Sequence, residues 1–351
     1  MCKRVPELVR PELLSLAPVA HGSVALEELR AHGLTPLDVL DFSVNTNPLG
    51  PAPCVQRALC ETNWGRYPGD DELPLRQQLA EINNVSEHQV LVGNGSVDLM
   101  WWTLLAAVRP GDSVAVAEHT FGEYARAARA VGAQVVGMQH ASPARVLFLC
   151  QPNNPTGEYR TGADVERLLG HTPDRLLVLD EAYAAFVAER WPAEQLLAAH
   201  PNLIILRSMT KDHALPGLRL GYLLASSPVA RAVAAVRPPW NVNAGALRAG
   251  LAALTPEAQL HVQHAREIAA DSRAYLTREL TRLGFFVTPS AANFLLVDVG
   301  DGPALRRALL PMRMVVRDCT SFGLPACVRI ACRLRAECER LIAALEEVKR
   351  V

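Results

Sequence analysis

Lysine is nearly missing from this 351-residue chain: of its 35 basic residues only Lys3, Lys211 and Lys349 are lysines, and the rest are arginines. Lys3 and Lys349 sit at the extreme termini, where chains fray. Arginine therefore serves wherever a surface cation is wanted, except at position 211. A guanidinium is in effect never deprotonated, whereas an ammonium can lose its proton and become a nucleophilic amine. A solitary lysine is ordinarily a solvated surface group, but its avoidance elsewhere argues against that here. Position 211 predicts covalent chemistry at an amine.

Other absences narrow the function class. The formal net charge is −1, so there is no basic excess for nucleic acid and no acidic tail. No apolar run approaches membrane-spanning length, and WWTLLAAV at 101–108 is too short. The opening MCKRVPELVRPELL breaks its apolar residues with charges and prolines, so it lacks a signal-peptide core. The eight cysteines contain no CxxC, and Cys327, Cys332 and Cys338 lack zinc-ligand spacing. Thiols in a reducing cytoplasm are expected, with no metal and no membrane.

What is present reads as an α/β protein. Half the residues are apolar and a fifth are charged, enough for a large core in two domains. SVAVAEH (113–119), QVVGM (134–138), RVLFLC (145–150), RLLVLD (175–180), LIILRS (203–208) and RLGYLLA (219–225) are short apolar runs. Helical patterns such as 122–132 and 163–170 lie between them. Near-continuous apolar strands alternating with helices predict a mostly parallel sheet covered on both faces. The texture changes near RPPWNVN (237–243), after which a long helical stretch over 256–283 and the runs GFFVTPS, NFLLVDV and CVRIAC suit a smaller α+β unit. The expected division is an irregular arm, 1–50, joining the small unit; a large domain, 51–240; and a small C-terminal domain, 241–351.

Four polar clusters fall at strand ends, where ligands gather in such sheets. GNGSVD (93–98) opens a helix and offers backbone N–H groups to an anion. QPNNPTG (151–157) is a Pro/Gly turn that also presents the Asn154 amide. LDEAY (179–183) places Asp180 where a buried carboxylate needs a cationic partner, such as a protonated ring nitrogen. SMTKDHALPGLR (208–219) brackets Lys211 with Ser208 and Arg219, which suits a phosphate beside a lysine bonded to a carbonyl carbon. Together these are a phosphate cradle, an acid for a pyridinium, an amide for a phenolate and an aldehyde-bonding lysine. Pyridoxal 5′-phosphate presents that set of groups.

With these motifs, from about residue 20 to 347, the chain resembles the class I/II aminotransferase family, pyridoxal-phosphate enzymes of fold type I. The resemblance implies that Lys211 bonds the cofactor aldehyde and that Asp180 pairs with the ring nitrogen. It assigns Asn154 and Tyr183 to the phenolic oxygen, and Gly95, Ser96, Ser208 and Arg219 to the cofactor phosphate. Phe121, in HTFGEY, is the ring-stacking aromatic. Tyr67, in RYPGDDELPLR, matches a tyrosine that reaches the neighbouring subunit's cofactor, which implies a homodimer with shared active sites. Arg329, in CVRIACR, matches the arginine that grips the substrate α-carboxylate.

Two branches of the family fit. Histidinol-phosphate aminotransferases share the NTNPLG opening (45–50). Threonine-phosphate decarboxylases of cobalamin biosynthesis resemble the chain in DFSVNTNPLG, WNVN (240–243) and Arg333 four residues past Arg329, although Ser23 stands where they have a second glycine. The decarboxylase is the favoured expectation and the aminotransferase the alternative. Both act on a phosphorylated amine, for whose phosphate His21, Asn45 and Arg333 are the candidates. A different class, a non-catalytic sensor fused to a transcription regulator, needs a DNA-binding segment ahead of His21, where only about 20 residues stand.

Overall fold

The computed structural model describes residues 8–350 apart from Ser23, Ala25, Ser142 and Pro143. Its largest sheet has seven strands in the spatial order Val90–Gly93, Gly221–Ala225, Leu203–Ser208, Leu176–Asp180, Val146–Cys150, Ser113–Ala115 and Gln134–Val136. The last five run parallel, while Gly221–Ala225 is antiparallel to both its neighbours. All six runs read from the sequence are strands. Within the run expected over 113–119 the strand is Ser113–Ala115, and the Val116 N–H still donates to the Val136 carbonyl at 3.0 Å. All five residues of Val146–Cys150 are buried; helices cover both faces, so no polar alternation is required. The intervening helices carry local stop and start signals, as where Thr161 caps Gly162–His171 by accepting the Asp164 N–H.

Strand register brings the sequence motifs to one edge. Cys150 lies opposite Asp180, Asp180 opposite Leu206, Ser208 opposite Gly221, and Gly221 opposite Gly93. The carboxyl ends of three parallel strands thus sit beside the GNGS turn.

The second unit is a four-stranded antiparallel sheet, ordered Arg317–Asp318, Cys327–Ala331, Phe294–Asp298 and Phe286–Val287. It packs on the helices Pro256–Arg282 and Arg335–Arg350 through Tyr275, Leu276, Leu341 and Leu345. Residues 40–41 pair in parallel with Met314–Val315, so the N-terminal segment is tied to this unit. The large core runs past residue 240: Ala246, Leu247 and Ala249 of the helix Ala244–Ala253 pack in the same cluster as Leu203 and Ile205.

Candidate active site

The phosphate end is built by close backbone approach. Gly95, at φ 88°, caps the helix Ser96–Ala107. A Cβ at Gly95 would lie 2.8 Å from Arg219 Nη2, and one at Gly221 would lie 2.6 Å from the Ser96 nitrogen. Only glycine serves at either point. Ser96, Ser208, Thr210, Lys211 and Arg219 line one cavity of about 520 Å³, with the Ser208 and Thr210 hydroxyls 2.8 Å apart. Hydroxyls, a guanidinium and a helix start suit an oxyanion.

Asp180 lines the same cavity and is buried. Its Oδ2 accepts from the Tyr124 hydroxyl at 2.6 Å and its Oδ1 from the Ala182 N–H at 3.0 Å. Burial pushes its carboxyl above the usual range, and the Tyr124 hydrogen bond pulls the other way. Among the described residues it makes no salt bridge. A buried acid held by two donors and facing an aromatic-lined cavity fits a protonated ring nitrogen. Phe121 lines the cavity and meets Tyr124 edge-on at 5.5 Å. Lys211 Nζ lies 5.9 Å from the centroid of the Tyr183 ring. The NTNP segment secures the lysine loop: the Asn47 N–H donates to the Lys211 carbonyl at 2.8 Å and its side chain to the Asp212 carbonyl at 2.9 Å.

The small sheet supplies the other wall. Arg329, fully buried on the strand Cys327–Ala331, donates to the Asn154 amide oxygen and to the Ser43 carbonyl. Asn45, with its amide oxygen turned toward Arg329, accepts from Nε and Nη1 at 3.1 Å. Because Asn154 gives its oxygen to Arg329, its NH2 is the group left to donate into the cavity. Arg317 lies opposite Arg329 in register and lines the same recess, together with His21, Asn45 and Lys211. It donates to the Ala20 carbonyl and the Ser321 hydroxyl, both at 2.8 Å or less. Burial lowers the pKa of both arginines, and the charge of Arg329 lowers that of Arg317 further. Two facing guanidiniums, their hydrogen bonds going to neutral acceptors, call for an anionic ligand.

The expected residues do not all converge. Lys211, Asp180, Tyr183, Ser96, Phe121, Asn154, Ser208, Arg219 and His21 line the large cavity, and Asn45 and Arg329 line the adjoining recess. Gly95 shapes the turn from behind. His21 Nε2 is 3.1 Å from the buried Glu123 carboxylate, and its ring tilts against Phe121 at 5.9 Å. Arg333 lines neither cavity. It lies past the strand end, so its guanidinium reaches Glu337 one helical turn on, at 2.9 Å, and the Asp41 carbonyl at 3.1 Å. Tyr67 also lies outside the cavities, 75% exposed and stacked on Trp240 at 4.3 Å. Ser23 lies outside the described residues.

Sequence reading missed Tyr124, Thr210, Glu123 and Arg317. Tyr124 and Glu123 stand within HTFGEY, and Thr210 directly precedes Lys211, so adjacency was an available signal. Arg317 had only a polar interruption after the apolar MVV, and cross-strand register is invisible in one dimension.

Comparison with known proteins agrees with this geometry. The family described as "Aminotransferase class I and II" matches residues 37–345. Histidinol-phosphate aminotransferases from Moorella thermoacetica and Symbiobacterium thermophilum are each 34% identical, over 97% and 96% of this chain and 92% and 98% of theirs. Among solved structures, the histidinol-phosphate aminotransferase of Sinorhizobium meliloti in complex with pyridoxal 5′-phosphate superposes with a TM-score of 0.85 at 26% identity, covering 97% of both chains. The L-threonine-O-3-phosphate decarboxylase of Porphyromonas gingivalis gives 0.77 at 29%, covering 88% of this chain and 99% of that one. These relatives back the aminotransferase alternative better than the favoured decarboxylase. A fold type I core, the strand-end constellation and a family match over nearly the whole chain lead to one conclusion: this protein belongs to the class I and II aminotransferase family.

Proposed function

We propose that the chain is a pyridoxal-phosphate-dependent aminotransferase that exchanges an amino group between a phosphorylated amine of the histidinol-phosphate kind and a 2-oxo acid. The observation that carries the reading is the facing pair Arg317 and Arg329, without carboxylate partners among the described residues, beside the cavity of Lys211 and Asp180. Such a pair accepts a phosphate dianion from one substrate and a carboxylate from the other. When bound, the cofactor supplies an electron sink for the bond broken at the substrate Cα. Lys211 would bond its aldehyde and would serve as general base for the Cα proton. Asp180 holds the proton on the ring nitrogen, and Asn154 and Tyr183 hold the phenolic oxygen. Gly95, Ser96, Ser208 and Arg219 hold the phosphate, and Phe121 stacks on the ring. Arg329 takes the carboxylate; Arg317 joins His21 and Asn45 at the substrate phosphate in place of Arg333.

A decarboxylase reading retains one specific support, the 29% identity to the Porphyromonas gingivalis enzyme together with the shared DFSVNTNPLG and WNVN segments. Against it, Arg333, whose position favoured that branch, is engaged by Glu337. The test incubates the holoenzyme with histidinol phosphate plus 2-oxoglutarate, and separately with phosphothreonine. Glutamate formation in the first without carbon dioxide in the second supports transamination; the reverse overturns it.

The proposal extends to a homodimer with shared sites, supported by the exposed Tyr67–Trp240 stack and the neighbouring Trp64, 65% exposed. It places the protein in the cytoplasm, supported by the free state of Cys54, Cys150, Cys332 and the other described cysteines. Among the described residues no helix is long and apolar enough to cross a membrane. The proposal divides the chain into an N-terminal arm, 1–50, a large domain and a small C-terminal domain, with the helix Ala244–Ala253 packing on the large core.

A further inference from the structure

We propose that Tyr124 is a positioning residue that keeps Asp180 ionised and aimed at the cofactor ring nitrogen, an inference resting on the pyridoxal-phosphate reading above. Tyr124 is fully buried, and a buried tyrosine hydroxyl requires a partner. Here the partner is Asp180 Oδ2, at 2.6 Å, the distance of a hydrogen bond to an ionised acceptor. The phenol ring is fixed on two sides, stacked on Phe148 at 4.7 Å and 8°, and edge-on to Phe121 at 5.5 Å. One side chain thus braces both the acid beneath the ring and the aromatic proposed to lie against its face.

The groups facing Asp180 make this hydroxyl decisive. Glu181, next in the chain, and burial itself both favour the protonated acid. Lys211 and the Ala182 N–H favour the carboxylate, as does Tyr124, whose hydrogen bond is the largest opposing contribution. Cys150, also adjacent, stays a neutral thiol because burial pushes it up to about 12. Burial already raises the Asp180 carboxyl; without the Tyr124 donor less opposes it, and the carboxyl titrates at still higher pH. A cofactor arriving as a pyridinium then has to displace a proton from Asp180 before pairing with it.

The test measures pyridoxal 5′-phosphate affinity against pH in the apoprotein, by tryptophan fluorescence, with Lys211→Ala in every protein so that lysine titration is absent. Affinity falls on the acid side as Asp180 protonates. In Tyr124→Phe that limb should move up by about one pH unit, the equivalent of one charge-assisted hydrogen bond, while affinity above the limb changes little. A uniform loss at all pH values, with the limb unmoved, reduces Tyr124 to packing and overturns the proposal. No binding by the protein with Lys211 intact overturns the cofactor reading, and with it this one. A second measurement needs no tyrosine variant: the infrared difference between the apoprotein and its Asp180→Asn form should contain an ionised carboxylate band at neutral pH. A protonated carboxyl band there overturns the proposal as well.

Discussion

Arg329 and Asn154 meet across the two structural units: the guanidinium of the small sheet donates to the amide oxygen of the NNPTG turn behind the large one. A single hydrogen bond therefore connects the residue proposed to take the substrate carboxylate with the one proposed to hold the cofactor. Asn154→Ala should weaken both functions, raising the cofactor Kd and the KM for the 2-oxo acid. The loss of one hydrogen bond to a charged group costs about 1.5–3 kcal/mol. Titration of the apoprotein and steady-state kinetics check this; a change confined to one parameter contradicts the link.

Lys211 should carry the cofactor covalently. Borohydride reduction of the holoenzyme is expected to fix the label on the peptide containing SMTKDHALPGLR. Lys211→Ala should lose both the absorbance of the lysine-bound cofactor and turnover. Recovery of label at Lys349 or Lys3 contradicts the assignment.

Asp180→Asn should fold and bind cofactor but turn over slowly. Losing the carboxylate proposed to hold the proton on the ring nitrogen, where the developing negative charge is drawn, costs roughly 3–4 kcal/mol, or two to three powers of ten in kcat. Activity within about threefold of wild type excludes the electrostatic role.

Tyr67 tests the shared site. Tyr67→Phe and Lys211→Ala proteins, each impaired, should regain activity when mixed and allowed to exchange subunits, because one site of each mixed dimer then receives both intact residues. A monomer at assay concentration, or mixtures no better than the sum of their parts, refutes sharing.

Gly221→Ala should destabilise the fold, because its Cβ would lie 2.6 Å from the Ser96 nitrogen and 2.8 Å from the Arg207 carbonyl, neither of which can swing away. Overpacking of this kind costs about 1–3 kcal/mol. Gly170→Ala, inside the helix Gly162–His171 with nothing within 4 Å, should instead stabilise by about 0.5–1 kcal/mol. Denaturant unfolding of the two variants should give opposite signs.

The sequence by itself determined whatever depends on residue type and short spacing. Lysine scarcity singled out Lys211. Apolar runs of strand length identified the central sheet, and GNGS, NNPTG, DEAY and SxxK with Arg219 marked the end proposed to hold the cofactor, since each motif is a local turn whose chemistry survives in one dimension. Tertiary structure decided what depends on register and direction. Arg317 became a partner of Arg329 only because two antiparallel strands set them opposite one another. Arg333, four residues past Arg329, turned away because the strand ends at Ala331 and the next helix presents Glu337 to it. Tyr124 reached Asp180 from 56 positions away, a contact made when a helix and a strand end pack on the same side of the sheet. Sequence spacing measures distance along the chain, whereas hydrogen bonds, charge pairing and desolvation act through space, so the local motifs were legible and their partners were not.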